Sequence, residues 1–238
     1  MELLESTGAN KAMNKINLGC GPVGHDDWIN VDWGILAFIH KFPLIEELFI
    51  KIPFFPQGYR VKWPKNLKLC DCKNGLSFKS DFADYIYTSH FLEHLKRFEA
   101  EKLLKESFRV LKTGGVLRIV VPDMELLIKK YMEKDSAFFV NAFNLKENCP
   151  LDSFTIADMF ASTFYPEFYI REFSGLKKIA ASFIRPHLWM YDYGSLSNLL
   201  KICGFKDIKR KNFREGNIPD LAKLDVFPEI SLYIEAIK

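Results

Sequence analysis

Apolar positions along the 238-residue chain switch between a period of two and a period of about three and a half, which predicts strands alternating with helices. Residues 15–19 and 28–32 read as short buried strands, and 66–71 as a third that runs into a turn at 72–75. Residues 84–89 (DYIYTS) alternate as a half-covered strand should. Over 98–111, Leu103, Leu104, Phe108 and Leu111 fall on one side of a helix, and Thr113-Gly114-Gly115 is expected to end it in a left-handed cap. The β-branched run VLRIVV at 116–121 predicts a strand covered on both faces. Asp123 is expected to cap a helix over 124–134 and Ser195 one over 196–203, closed by Gly204-Phe205. Two late strands follow, at 208–213 and 231–237. This order predicts an α/β, Rossmann-like, mostly parallel sheet with helices on both faces. Ligands of such sheets bind beyond the carboxyl ends of the strands, where the strand order reverses.

Two stretches depart from the alternation. Residues 34–55 are very apolar but carry His40, Lys41, Pro43, Glu46, Glu47 and Lys51, too many polar groups for a membrane span. Ile35, Phe38, Ile39 and Phe42 share one helical face, and Pro43 suits the first turn of a second short helix bearing Ile45, Leu48, Phe49 and Ile52. A helical cover over the sheet or its pocket is expected, with shallow contact with a membrane surface as the alternative. Residues 136–186 are aromatic-rich and predict an insertion of short helical and irregular pieces. No repeat or linker divides the chain, so residues 1–238 are expected to form a single domain.

Composition narrows the class. With 48% hydrophobic and 26% charged residues the chain is globular. A net charge of +3 is too small to argue for nucleic acid. The basic run of Lys209, Arg210, Lys211 and Arg214 reads as a strand edge that Lys and Arg protect from aggregation. Five cysteines without a C-x-x-C pair argue against a disulfide framework and fit a reducing cytoplasm. Residues 1–15 lack the apolar core of an export signal.

The chemistry starts at Asn17-Leu18-Gly19-Cys20-Gly21-Pro22-Val23-Gly24, which is literally G-x-G-x-x-G. A pyrophosphate site needs a helix N-terminus after those glycines. Here the next strand begins almost at once, and Asp32 comes well before the ~20-residue spacing of the dinucleotide fingerprint. A ligand without a pyrophosphate fits better: glycines for close backbone approach, and a carboxylate for ribose hydroxyls.

INLGCGPVGHDDWINVD, followed by LCDCKNGLSFKSDFADYIYTSHFLEHL and ESFRVLKTGGVLRIVVPD, resembles the class I methyltransferases that use S-adenosylmethionine (SAM). Together with HLWMYDYGSLSNLLKICGF and SLYIEAIK, these segments are similar to predicted methyltransferases associated with surface-polysaccharide clusters. The resemblance implies a seven-stranded sheet with an antiparallel last strand, and SAM as methyl donor. It implies Asn17, Gly19, Cys20 and Gly21 along the methionine and sugar portion, and Asp32 on the ribose. It further implies Asp71 and Cys72 at the adenine, and Ser89 and His90 near the methyl group and acceptor. Asn17 stands where most class I members carry an acid, and Gly24 falls one position later than the usual third glycine.

Methyl transfer depends on holding an acceptor in line with the methyl group, and a hydroxyl acceptor gains from a base, for which His90 is the candidate. His187, Trp189 and Tyr191 are candidate acceptor-binding residues, because polar groups among aromatics suit a sugar. Arg185 could add a contact to a phosphate or carboxylate. His90-Phe91-Leu92-Glu93-His94 also fits the zinc pattern H-x-x-E-H. No third ligand follows from the sequence, and similar methyltransferases carry the motif without metal, so no metal is expected. The expected function is therefore methyl transfer to a small-molecule or glycan-type acceptor. A catalytically inactive SAM-binding scaffold is the alternative, and a zinc hydrolase ranks below it.

Overall fold

A computed structural model describes residues 13–52, 60–143, 154–165 and 185–238. Seven strands form one sheet: β1 (Lys15–Leu18), β2 (Ile29–Asp32), β3 (Leu67–Leu69), β4 (Ala83–Ser89), β5 (Leu111–Pro122), β6 (Lys206–Lys211) and β7 (Ser231–Ile237). Their order is β3-β2-β1-β4-β5-β7-β6. β1 pairs parallel with β2 and β4, with Leu18 opposite Val31 and Thr88, and β5 continues the parallel run beside β4. β7 lies antiparallel between β5 and β6. The expected Rossmann-like α/β sheet with an antiparallel last strand is the one observed.

Successive residues of β4 and β5 serve opposite faces, as strand geometry requires. Ile86, Ile119 and Val121 join a large core under α3 (Arg97–Val110) and α7 (Tyr193–Ile202). Tyr87, Val116 and Val120 join a second cluster with Trp28 and the one-turn helix α8 (Leu221–Leu224). Helices α4 (Met124–Met132), α5 (Ser136–Ala142) and α6 (Ile156–Ser162) pack around Leu127, Phe139, Val140 and Met159. Of the predicted insertion, 144–153 and 166–184 lie outside the described residues.

Several local expectations need correction. α3 ends at Val110, and the chain enters β5 directly. Gly114 (φ +78°) and Gly115 instead form a bulge between the Ala83–Leu111 and Tyr85–Val116 pairs. A Cβ on Gly115 would lie 2.8 Å from the Lys112 carbonyl oxygen, so the glycine relieves crowding inside the strand. α7 is capped three residues before the expected position: Asp192 accepts from Ser195 N at 2.6 Å, and Ser195 completes the reciprocal box.

The apolar stretch forms α1 (Ile35–Lys41) and α2 (Pro43–Phe49), with Pro43 in the first turn of α2 as expected. The inward residues, however, are Ala37, His40 and Phe49. Ile35, Phe38, Phe42, Leu44, Ile45 and Leu48 are exposed, so the predicted apolar stripe does not form the packed face. A polar knot sets the orientation. The His40 ring stacks on Trp63 at 5.0 Å and pairs with Glu46 at 2.9 Å, while Trp63 N donates to Glu46 at 3.0 Å. Residues 53–55 of this stretch lie outside the described residues. No helix among the described residues is long and apolar enough to cross a membrane.

Lys209, Arg210 and Lys211 of the basic run sit on β6, the sheet edge, and Arg214 lies beyond its end. Arg210 pairs with Asp123, and Lys211 approaches Glu235 at 3.7 Å. Cys20, Cys70, Cys72 and Cys203 are buried free thiols, and Cys149 lies outside the described residues.

Candidate functional site

The chain runs outward from β1 to β2 and β3 and returns to β4 beside β1, so the strand order reverses between β1 and β4. Beyond the carboxyl ends of these strands lie two adjoining cavities of about 350 and 430 Å³. Both are walled by Gly19, Asp32, Trp33, Phe91, His94 and Arg185. That is the size range of small-ligand sites. The first cavity adds Asp71, Cys72 and Lys73, and the second Gly21, His90 and residues of α1.

The glycine turn is shaped for close approach. Gly19 and Gly21 are left-handed, at φ +65° and +49°. A Cβ on Gly19 would stand 2.3 Å from the Phe91 ring, whereas one on Gly21 would meet nothing within 4 Å. Gly24 answers a different need: a Cβ there would lie 2.1 Å from Pro64 and 2.7 Å from Asn30 Oδ1. Its place in G-x-G-x-x-G thus reflects packing. Only a turn, with Trp28 N donating to the His25 carbonyl at 3.0 Å, lies between Gly24 and β2. No helix lies between the loop and β2, so the helix N-terminus that directly follows the glycines of a dinucleotide site is lacking there.

Asp32 forms the opposite wall. Oδ2 accepts from Gly21 N at 2.8 Å and Oδ1 from Trp33 N at 2.6 Å. A carboxylate offers about four acceptor directions, so two remain for a ligand. Burial pushes the Asp32 pKa up. The two backbone donors and the Arg185 charge oppose that rise without cancelling it. Asp71 caps the 3₁₀ turn Cys72–Asn74, accepting from Lys73 N at 3.1 Å and Asn74 Nδ2 at 2.9 Å. This fixes the rim of the first cavity at the tip of β3.

The fourth strand delivers the titratable groups. His90 is left-handed at φ +47° and packs its ring against Phe227 at 4.7 Å. Its Nε2 meets Ser231 Oγ at 2.8 Å, and its Nδ1 lies 3.4 Å from Glu93. The turn after it, Leu92–His94, is a single 3₁₀ turn. His90 lies upstream of that turn, so His90 and His94 do not share the α-helical face that the H-x-x-E-H reading requires. His94 reaches His187 instead, with the rings 5.0 Å apart.

Gly19, Gly21, Asp32, Asp71, Cys72 and His90 therefore come together on the cavity walls. Arg185 and His94 join them on both walls, whereas Asn17, Cys20, Ser89, His187, Trp189 and Tyr191 line neither cavity. Asn17 turns inward, donating to the Val23 carbonyl at 3.0 Å and to Asn30 Oδ1 at 3.2 Å. It braces the glycine loop as a donor, which a carboxylate could not do. The Cys20 thiol is buried with Ala37 and Leu67. The Ser89 hydroxyl is buried without a hydrogen-bond partner. Trp189 is exposed, and Tyr191 is wholly buried in the main core beside its bridge to Asp123. Trp33 and Phe91 went unremarked as wall residues. Asp32-Trp33 adjacency was the only signal for the first, and Phe91 had none.

Comparisons with known proteins agree with this picture at a coarse level. Residues 57–119, from just before β3 into β5, match the family model described as a methyltransferase domain. The sheet and that match support a methyltransferase. A SAM-dependent methyltransferase from Archaeoglobus fulgidus is 16% identical, with 95% of this chain and 86% of that one covered at a TM-score of 0.48. A Thermotoga maritima SAM-dependent methyltransferase, described as a possible histamine N-methyltransferase, is 14% identical, with 95% and 82% covered at 0.46. The PH0226 protein from Pyrococcus horikoshii is 18% identical, with 94% and 81% covered at 0.48. At these identities and scores, none of the three decides what this chain binds. No curated protein matches the sequence.

Proposed function

We propose that this chain is a SAM-dependent methyltransferase acting on a small-molecule or glycan-type acceptor. The observation that carries the reading is Asp32: a largely buried carboxylate that holds Gly21 N and keeps acceptor directions free toward a cavity bounded by two left-handed glycines. These residues fit SAM. Gly19 and Gly21 admit the methionine portion, Asp32 accepts from the ribose hydroxyls, and Asp71 and Cys72 flank the adenine end. SAM supplies a methyl group activated on a sulfonium; the chain supplies position and proton handling.

Ser89 ends β4 and His90 follows it, and both are assigned to the methyl and acceptor end of the site. Both ring nitrogens of His90 already face partners, so service as a base requires Nε2 to leave Ser231 Oγ. Trp33, 54% exposed on the rim, supports a sugar-type acceptor by offering a flat face. The outward apolar residues of α1, which borders the second cavity, support a lipid-linked form of it. Trp189 and His187 are kept as acceptor contacts from the segment leading into α7, and Tyr191 as support beneath them. Four buried free thiols support a reducing, cytoplasmic setting.

The test is mass spectrometry of the purified protein under native conditions. SAM or its demethylated product bound at one per chain is expected. A bound dinucleotide, or no binding when SAM is supplied in excess, would overturn the reading.

A further inference from the structure

Glu93 is wholly buried, and neither of its carboxylate oxygens has a hydrogen-bond partner. Leaving a buried carboxylate so poorly matched is costly unless a cation completes it. His90 Nδ1, at 3.4 Å, comes within ion-pair reach without closing a hydrogen bond. Two other imidazoles complete the surroundings. One ligand atom each from Glu93, His94 and His187 lies within 4.8 Å of the others.

The supports of these side chains are those of metal ligands. His94 Nδ1 donates to the Pro186 carbonyl at 3.0 Å, which leaves Nε2 as a lone-pair donor. Ligating imidazoles make that outer bond as a rule. His187 Nδ1 is buried with no hydrogen-bond partner. The two stretches of chain are tied by their backbones. Leu188 N and Trp189 N both donate to the Glu93 carbonyl, at 2.7 and 3.1 Å, and His187 N donates to Phe164 O at 2.9 Å.

We propose that Glu93, His94 and His187 form a binding site for one divalent transition-metal cation, with zinc the best match. Two imidazoles and one carboxylate select zinc, manganese, iron or cobalt over magnesium and calcium, which prefer all-oxygen shells. Three protein ligands leave a coordination position open. His94 also walls both cavities, so an oxygen of the methyl acceptor is the ligand suited to that position. This last step rests on the methyltransferase reading; the cation site itself does not. The H-x-x-E-H motif is thus half used, with His187, distant in sequence, replacing His90.

The full chain, stripped with chelator and dialysed against zinc, should retain about one zinc per chain by elemental analysis. Cobalt in its place should give visible absorption bands of a nitrogen- and oxygen-ligated site. His187→Ala and His94→Ala should each weaken zinc binding at least ~100-fold, more than the 10- to 100-fold typical of losing an outer-shell partner. Circular dichroism and thermal melts of the same variants report whether they remain folded. Absence of stoichiometric zinc in the parent chain would overturn the site, as would equal zinc in parent and folded variants. If a variant fails to fold, the cobalt spectrum of the parent chain decides. Zinc retained in a chain that does not bind SAM would keep the site and remove the methyltransferase reading.

Discussion

Arg118 and Glu93 are both wholly buried charges, yet their surroundings differ in kind. Arg118, on β5, meets Asp225 at 2.5 and 3.1 Å and Glu235 at 3.2 Å, and donates to the carbonyls of Glu215 and Asn212. Asp225 in turn accepts from Arg214 N, and Glu235 from Asn217 N. The group is closed on itself and lines neither cavity. Glu93 has three imidazoles around it, no hydrogen bond to either oxygen, and a neighbour, His94, on the cavity wall. A saturated cluster holds the β5–β7 half of the sheet to the segment before β7. An unsaturated one, at the strand ends where the order reverses, stays ready for a ligand. Incomplete satisfaction of buried polar groups is what separates a site from a strut here.

Breaking the saturated cluster should have the largest effect. Arg118→Ala leaves two buried carboxylates without their cation and should cost about 3–5 kcal/mol in urea unfolding, with SAM affinity unchanged in whatever remains folded. Glu93→Gln, measured the same way on metal-free protein, should not destabilise the fold, because no hydrogen bond is lost and an unmatched buried charge is removed. An equal loss in both variants would erase the distinction between the clusters.

Acidity sharpens the comparison next. Burial raises the Asp32 pKa, and the ionised carboxylate accepts from ribose hydroxyls more strongly than the protonated one. SAM affinity should therefore fall on acidification, beginning at a higher pH than an ordinary aspartate would give. Fold stability runs the other way. A raised native pKa means the folded chain holds its proton more firmly, so this contribution is full at low pH and lost as pH rises through the native value. Calorimetry across pH should show the decline in binding, and Asp32→Asn should flatten it.

The smallest effect is expected at the loop. Gly21→Ala places a Cβ at φ +49°, where nothing among the described residues obstructs it, so stability should drop by only about 1 kcal/mol in thermal melts. The accompanying loss of SAM affinity should be the larger change, because that Cβ borders the cavity.

The sequence made the sheet legible because buried strands and capped helices leave periodic traces. The glycine turn and Asp32 were legible as well, since left-handed glycines and a carboxylate at a strand tip are local features. Errors arose where a distant contact overrode a local signal. Gly114-Gly115 looked like a helix cap but relieves crowding in a strand, and Ser195 looked like a cap but completes one begun by Asp192. The apolar stripe of 34–55 suggested one packed face, but His40, Glu46 and Trp63 set another. Tyr191 sat among polar neighbours in sequence and in space joined the core. The Glu93–His94–His187 cluster was the least legible, because one member lies 93 residues from its nearest partner in the chain and only the fold brings it near.

The central claim is that Asp32 and the left-handed glycine turn hold SAM, and calorimetric titration of SAM into the parent chain and Asp32→Ala tests it most directly. The parent should bind one SAM per chain. The variant, losing hydrogen bonds to a charged group worth ~1.5–3 kcal/mol each, should bind at least ~10-fold more weakly with its fold intact. Equal affinities in the two proteins would contradict the account.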